Sequence, residues 1–264
     1  MKPERKKIIV AVCGIGDPRF DAKLPHNIKN IEIINHTAPK EYNGNIDFLF
    51  FSYDNRLQKK FINHDNCKII KEEGFVGEFI YRHLQPEMVS NYDRIIVMLD
   101  DLAVQKDFNL EKIMKIQDEY NFDVISPSLT LNSKVSHPFM KTRRDGSIDY
   151  VMTTGFVEFF MYVMKPASKA YEKWLSCFDQ QTKCMWGIDM ILNAELGLKL
   201  GLVNNMTIRH MYKGGSVKNG FAEMKRLLRR ISADHKKHGT ESPVPIGDLR
   251  DLPTIQKVFN IQPI

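Results

Sequence analysis

Residues Ile95–Val104 read Ile-Ile-Val-Met-Leu-Asp-Asp-Leu-Ala-Val. Five apolar residues in succession, three of them β-branched, predict a strand buried on both faces, as strands of a parallel sheet are. The run ends on Asp100-Asp101, and two ionised carboxylates at the end of a central strand are costly unless something cationic compensates them. Ligands of open α/β sheets lie beyond the carboxyl ends of the strands, so the acidic pair marks a candidate site. Hard oxygen ligands suit Mg²⁺ or Mn²⁺, which typically take one or two carboxylates together with substrate phosphates. Successive strand side chains point to opposite faces, so one of the pair meets the ligand, with Asp101 the better choice. The alternative makes Asp101 the N-cap of a following helix.

Outward from that strand, similar runs occur at Ile8–Cys13, Ile46–Phe51, Cys67–Lys71 and Asp123–Ser126, with another at Leu202–Ile208. Apolar residues three and four apart predict helices at Glu78–Leu84, Leu110–Tyr120, Ala167–Phe178 and Asp189–Leu196. The alternation predicts an α/β fold with a mostly parallel central sheet flanked by helices. Beyond about residue 215 the texture changes: Phe221–His238 reads as a basic amphipathic helix, and 239–264 is rich in proline. A main domain over 1–215 and an extension over 216–264 are expected.

The 264 residues are 43% hydrophobic, enough for a real core, and 38 Lys+Arg against 32 Asp+Glu give a net charge of +6, which suits a phosphate-bearing ligand. No stretch approaches the roughly 20 apolar residues of a membrane span; the greasiest, Gly155–Met164, is interrupted by Glu158. Basic residues before Ile8–Cys13 imitate a signal peptide, but Gly14, Gly16, Asp17 and Pro18 follow where a small-x-small cleavage site would stand, so a buried first strand is expected. Cys13, Cys67, Cys177 and Cys184 lack zinc-site spacing and predict reduced thiols in the cytoplasm.

Other strand ends offer further candidates. Gly14 and Gly16 permit close backbone approach to a nucleotide, although the third glycine of a dinucleotide fingerprint is missing. Tyr53 and Asp54, after the strand IDFLFF, could take a base or ribose, or simply form a turn. Glu158 in its apolar segment needs a reason for being there. Trp186 and Gly187 supply a flat ring and open backbone before Asp189, which is either a helix N-cap or a carboxylate presented to an acceptor.

The order of these segments resembles that of GT-A-type nucleotide-sugar glycosyltransferases: IIVMLDDLAV, a basic stretch from His137-Pro138 to Arg143-Arg144, Gly155-Phe156-Val157-Glu158, Trp186-Gly187-Ile188-Asp189 and Arg209-His210. Within that family it is most similar to a plant and bacterial group with D-E-D-L-G-V, F-V-E and W-G-x-D segments, over roughly residues 8–215. The resemblance implies a GT-A, Rossmann-like fold and transfer of a sugar from a nucleoside-diphosphate sugar to the hydroxyl of a glycan or other acceptor. It implies Mn²⁺ or Mg²⁺ held by Asp101 and His210, the histidine coordinating the metal or touching the diphosphate, with Asp100 at the middle of the D-x-D motif and Leu99 where its first aspartate belongs. That departure weakens metal affinity or makes the ion dispensable. Asp189 takes the position of the acceptor-activating base, with Glu158 second; an aspartate base implies direct displacement with inversion. Arg143, Arg144 and Lys213 are available to the diphosphate.

Two other classes stay open. A metal-dependent nucleotidyltransferase requires a glycine- and lysine-rich phosphate loop after the first strand, of which CGIGDPRF is a poor version. A catalytically degenerate nucleotide-sugar-binding protein is the reading that Leu99 favours. Nucleic acid is not expected as a partner, because LLRRISADHKKH has basic residues but little aromatic interleaving.

Overall fold

The computed structural model describes residues 6–15, 20–53, 56–58, 64–135, 137–142, 151–212, 220–240 and 262–263. Every strand expected from the sequence is present: β1 (Ile8–Ile15), β2 (Ile46–Ser52), β3 (Cys67–Lys71), β4 (Arg94–Leu99), β6 (Val124–Leu129) and β9 (Leu200–His210). Four more are β5 (Leu102–Val104), β7 (Val151–Thr154), β8 (Met161–Met164) and β10 (Gln262–Pro263). The helices are α1 (Phe20–Thr37), α2 (Val76–His83), α3 (Pro86–Val89), α4 (Leu110–Glu119), α5 (Lys169–Leu175), α6 (Ile188–Ile191) and α7 (Gly220–Lys237).

Among the described residues the ten strands form one sheet, ordered β10-β7-β9-β6-β8-β4-β1-β2-β3, with β5 paired to β9. All strands but β5, β7 and β8 run in one direction, so the sheet is mostly parallel. Its centre is apolar on both faces: all eight residues of β1 are buried, and Ile95 to Met98 of β4 are fully so. Burial on both sides explains why β1 and β4 read as continuous apolar runs rather than alternating ones.

The chain moves outward from β1 to β2 and β3, then returns to place β4 on the other side of β1. The crevice between the carboxyl ends of β1 and β4 is therefore the point where the strand order reverses, the usual ligand position in such sheets. Gly14 and the Asp100-Asp101 pair both stand there.

Several local expectations are corrected. Asp101 does not open a helix, because Leu102–Val104 pairs with β9 as strand β5. The apolar segment 151–164 is two strands, with Glu158 in the loop between them. The helix expected over Asp189–Leu196 stops at Ile191, and its N-cap is Gly187 rather than Asp189. Helix α1 was not expected at all. Among the described residues no helix is long and apolar enough to cross a membrane, and all four cysteines are free and buried.

Candidate active site

Helix α1 fixes the acidic turn after β4. Lys23, Asn27 and Asn30 are four and three residues apart, one face of the helix, and all three are buried. The Lys23 ammonium donates to Asp100 Oδ2 at 2.7 Å, and the Asn27 amide donates to the Asp100 carbonyl at 2.7 Å. Asn30 donates to the Leu102 carbonyl at 2.9 Å and accepts from the Val104 amide at 2.8 Å, pairing with one edge of β5 as a neighbouring strand would. Lys23 and Asp100 are a buried ion pair, with side chains 4% and 7% exposed, so Asp100 has its counter-charge within the protein.

Gly14, Tyr53 and Asp100 meet at the same strand ends. Gly14 has φ +106°, where side chains are strained, and a Cβ there would lie 3.0 Å from Asp100 Oδ1 and 3.5 Å from the Tyr53 hydroxyl. Tyr53 is held by its amide on the Ile15 carbonyl, 2.8 Å, and by a tilted ring contact with Phe79.

Asp101 turns the other way. His210, opposite Leu102 in the β5–β9 pair, brings Nε2 to 3.1 Å from Asp101 Oδ2, and both residues are buried. The other ring nitrogen, Nδ1, contacts the Lys134 carbonyl, which can only accept, so Nδ1 carries a proton. Nε2 of a neutral ring then faces the carboxylate with its lone pair, which is stable only if the ring is protonated or a cation lies between them. Burial lowers the His210 pKa, but the Asp101 carboxylate, the Lys134 carbonyl and Glu158 outweigh it and the net shift is upward. Among the described residues Asp101 Oδ1 is buried without a hydrogen-bond partner, a second sign of an unmet cation. Among the described residues no group of three His, Cys, Asp or Glu could hold a metal. The pair suits an ion whose remaining ligands come from substrate and water, the usual arrangement for Mg²⁺ at phosphates.

The two candidate bases lie on the same side. Asp189 accepts from the backbone amides of Met190, Gly187 and Phe159, the last adjacent to Glu158, and both carboxylates raise the pKa of the buried Tyr162 hydroxyl after the larger effect of burial. Glu158 also acts on His210, and the Phe160 ring lies 4.8 Å from the imidazole. Desolvation pushes the Asp189 carboxyl up to about 7 despite those amides.

Trp186 and Gly187 meet α7. The Trp186 ring packs edge-on against Phe221 at 4.8 Å, and a Cβ on Gly220 would lie 2.7 Å from it. Gly187 has φ +89°, and a Cβ there would come within 2.8 Å of Met224 Cγ. Close helix packing accounts for Gly187, while Trp186 keeps 37% of its surface exposed. Gly16, Asp54, Arg143, Arg144 and Lys213 lie outside the described residues. Sequence reading missed Lys23, Asn27 and Asn30, whose only signal was polar spacing in a segment interrupted by Pro25.

A family described as "Protein of unknown function (DUF707)" matches residues 22–196. No curated protein matches the chain in sequence. Among solved structures, the chain is similar to GalNAc-T7 with UDP, GalNAc and Mn²⁺, at 10% identity and TM-score 0.58, over 96% of this chain and 54% of that one. It is also similar to S. aureus TarS 1-349, at 12% identity and TM-score 0.57, over 96% and 69%. For the same TarS segment in complex with UDP the values are 13% and 0.51, again over 96% and 69%. The chain thus spans about half of the first structure. At such identities the likeness is one of fold, and it makes the architecture the α/β, GT-A type.

Proposed function

The chain belongs to the DUF707 family, and from that premise, its GT-A fold and the geometry at β4, we propose that it is a glycosyltransferase using a nucleoside-diphosphate sugar. The observation that carries the reading is the Asp101–His210 pair, with its orphaned Oδ1 and converging lone pair, beside Gly14 and Tyr53 at the switch point of the sheet. Similar folds with UDP, and in one case Mn²⁺, support the choice of donor and ion.

In this reading Gly14 and Tyr53 receive the nucleotide, Asp100 orders their floor through Lys23, and Asp101 and His210 would hold Mn²⁺ or Mg²⁺. The ion supplies neutralisation of charge on the departing diphosphate. Arg143, Arg144 and Lys213 add positive charge to the same group, with Gly16 and Asp54 completing the nucleotide contacts. Trp186 offers its exposed edge to the acceptor beside Gly187. Asp189 removes the proton from the acceptor hydroxyl as it attacks the anomeric carbon on the face opposite the leaving group, which inverts the configuration; Glu158 orients that hydroxyl. The acceptor is a glycan or another hydroxyl compound, and the free buried cysteines suit a reducing, cytoplasmic setting.

One observation favours a second reading, a nucleotide-sugar-binding protein without turnover: Leu99 stands at the strand end just before the acidic pair. Calorimetric titration with UDP and GDP, with and without Mn²⁺, tests the site common to both. Asp101→Ala and His210→Ala should each weaken Mn²⁺-dependent nucleotide binding by about tenfold or more, the loss of one charged contact. Identical affinities in wild type and both variants would remove the site, and nucleotide binding without sugar transfer would select the second reading.

A further inference from the structure

A cavity of about 760 Å³ opens between α1, β5 and β9, lined among others by His26, Lys29, Ala103, Lys106, Thr207 and Arg209. Its volume lies in the range of roughly 300–1,000 Å³ usual for small-molecule sites. It is not the site described above. Directly paired residues of an antiparallel ladder project to one face, and successive residues to opposite faces. Leu102 pairs with His210 and Ala103 with Arg209, so Arg209 and Ala103 point away from His210, on the other side of the β5–β9 ribbon.

The lining is net cationic, with Lys29, Lys106 and Arg209 against Asp107. Lys29, Lys106 and Arg209 are exposed, and none has a hydrogen-bond or ion-pair partner among the described residues. The acid of the lining, Asp107, already accepts from the Thr207 amide at 3.1 Å and the Thr207 hydroxyl at 2.9 Å. His26 registers the local field: burial first, then the charges of Arg209 and Lys29, lower its pKa, so its imidazole stands neutral beside them. Cations gathered on a concave surface repel one another and focus positive potential into the hollow. An anion would relieve that repulsion, and Arg209 offers it a planar fork of donors.

We propose that this cavity is a second binding site, specific for a small polyanion bearing two or more phosphate or carboxylate groups. Three cations drawn from α1, the loop between β5 and α4, and β9 match several charges spread over one molecule better than a single ion. The concave shape favours a small molecule over an extended polymer.

Calorimetric titration with pyrophosphate in one arm and citrate in the other, in metal-free buffer, distinguishes phosphate from carboxylate sources. Wild type should bind at least one of them, and the double variant Lys29→Ala/Arg209→Ala should weaken it by about tenfold or more. His210→Ala should leave the affinity unchanged, because its imidazole faces the opposite side of the ribbon. The double variant removes exposed side chains, so an unchanged melting temperature is expected for it and confirms that folding is intact. Loss of binding in His210→Ala with retention in the double variant would put the anion in the donor site and overturn the proposal. Failure of both anions to bind wild type at millimolar concentration would overturn it as well, whatever the outcome at Asp101 and His210 with nucleotides.

Discussion

Asp189 is partly exposed, yet desolvation pushes its carboxyl up to about 7, with backbone amides of Met190, Gly187 and Phe159 holding back part of the rise. A general base works best when its pKa lies near the working pH. Turnover is therefore expected to climb as pH rises through about 7, and Asp189→Asn should abolish that limb and lower turnover by roughly 10² to 10⁴ with donor affinity retained. The sign for stability is opposite. A carboxyl whose folded pKa is raised stabilises the fold fully below its unfolded value, about 3.9, and that contribution is lost as pH rises through about 7. Asp189→Asn should therefore melt higher than wild type at pH 8 and gain nothing at pH 4, as thermal scans across pH would register. Wild-type turnover in Asp189→Asn, with a dead Glu158→Gln, would transfer the role to Glu158.

Helix α1 is the element that the sequence concealed. Its face toward the sheet carries Lys23, Asn27 and Asn30, polar residues where amphipathic periodicity looks for apolar ones, and Pro25 lies inside it. Tertiary partners at β4 and β5 satisfy those groups, and a single sequence cannot display such partners. The strands β1, β2 and β4 were legible because burial on both faces leaves an unbroken apolar run. Short β5 was not, since three residues carry no period and its pairing with β9 spans more than a hundred positions. The dependence of the acidic turn on α1 is open to a double-mutant cycle. Lys23→Met should destabilise the protein by roughly 3–5 kcal/mol by taking the Lys23 ammonium from the buried Asp100 carboxylate. Adding Asp100→Asn should recover most of that loss in urea unfolding. A Lys23→Met protein as stable as wild type would show that the ion pair contributes nothing to holding the turn.

At the scale of the whole molecule, Gly14, Tyr53 and Asp100 meet across three strands, and Asp101 meets His210 across 109 residues of chain. What the sequence could not convey is how far its last part is built into the rest. The change of texture at 215 leaves an extension either packed on the main domain or trailing from it; α7 packs, with Met224 and Leu228 buried and Glu223 accepting from the Lys183 and Cys184 amides at 3.1 and 3.0 Å. His235 reaches Glu195 at 2.7 Å, Arg230 reaches Asp179 at 3.3 Å, and β10 pairs with β7. Amphipathic spacing predicts such a helix but not its partner, and Gly187 and Gly220, the two residues that permit its close approach, look like loop glycines in the sequence. Burial of Met224 and Leu228 contributes roughly 1.5–3 kcal/mol each, a large share of the stability of an ordinary domain. A chain ending at residue 215 should therefore melt well below the full chain and bind a hydrophobic dye through the surface that α7 covered. Its nucleotide affinity at low temperature should persist, because none of the contacts of Gly14, Tyr53, Asp101 and His210 described above involves α7. Equal melting temperatures for the two chains would mean that α7 merely rests on the fold, and lost nucleotide binding in a still-folded short chain would mean that the donor site extends into the last 49 residues, 216–264.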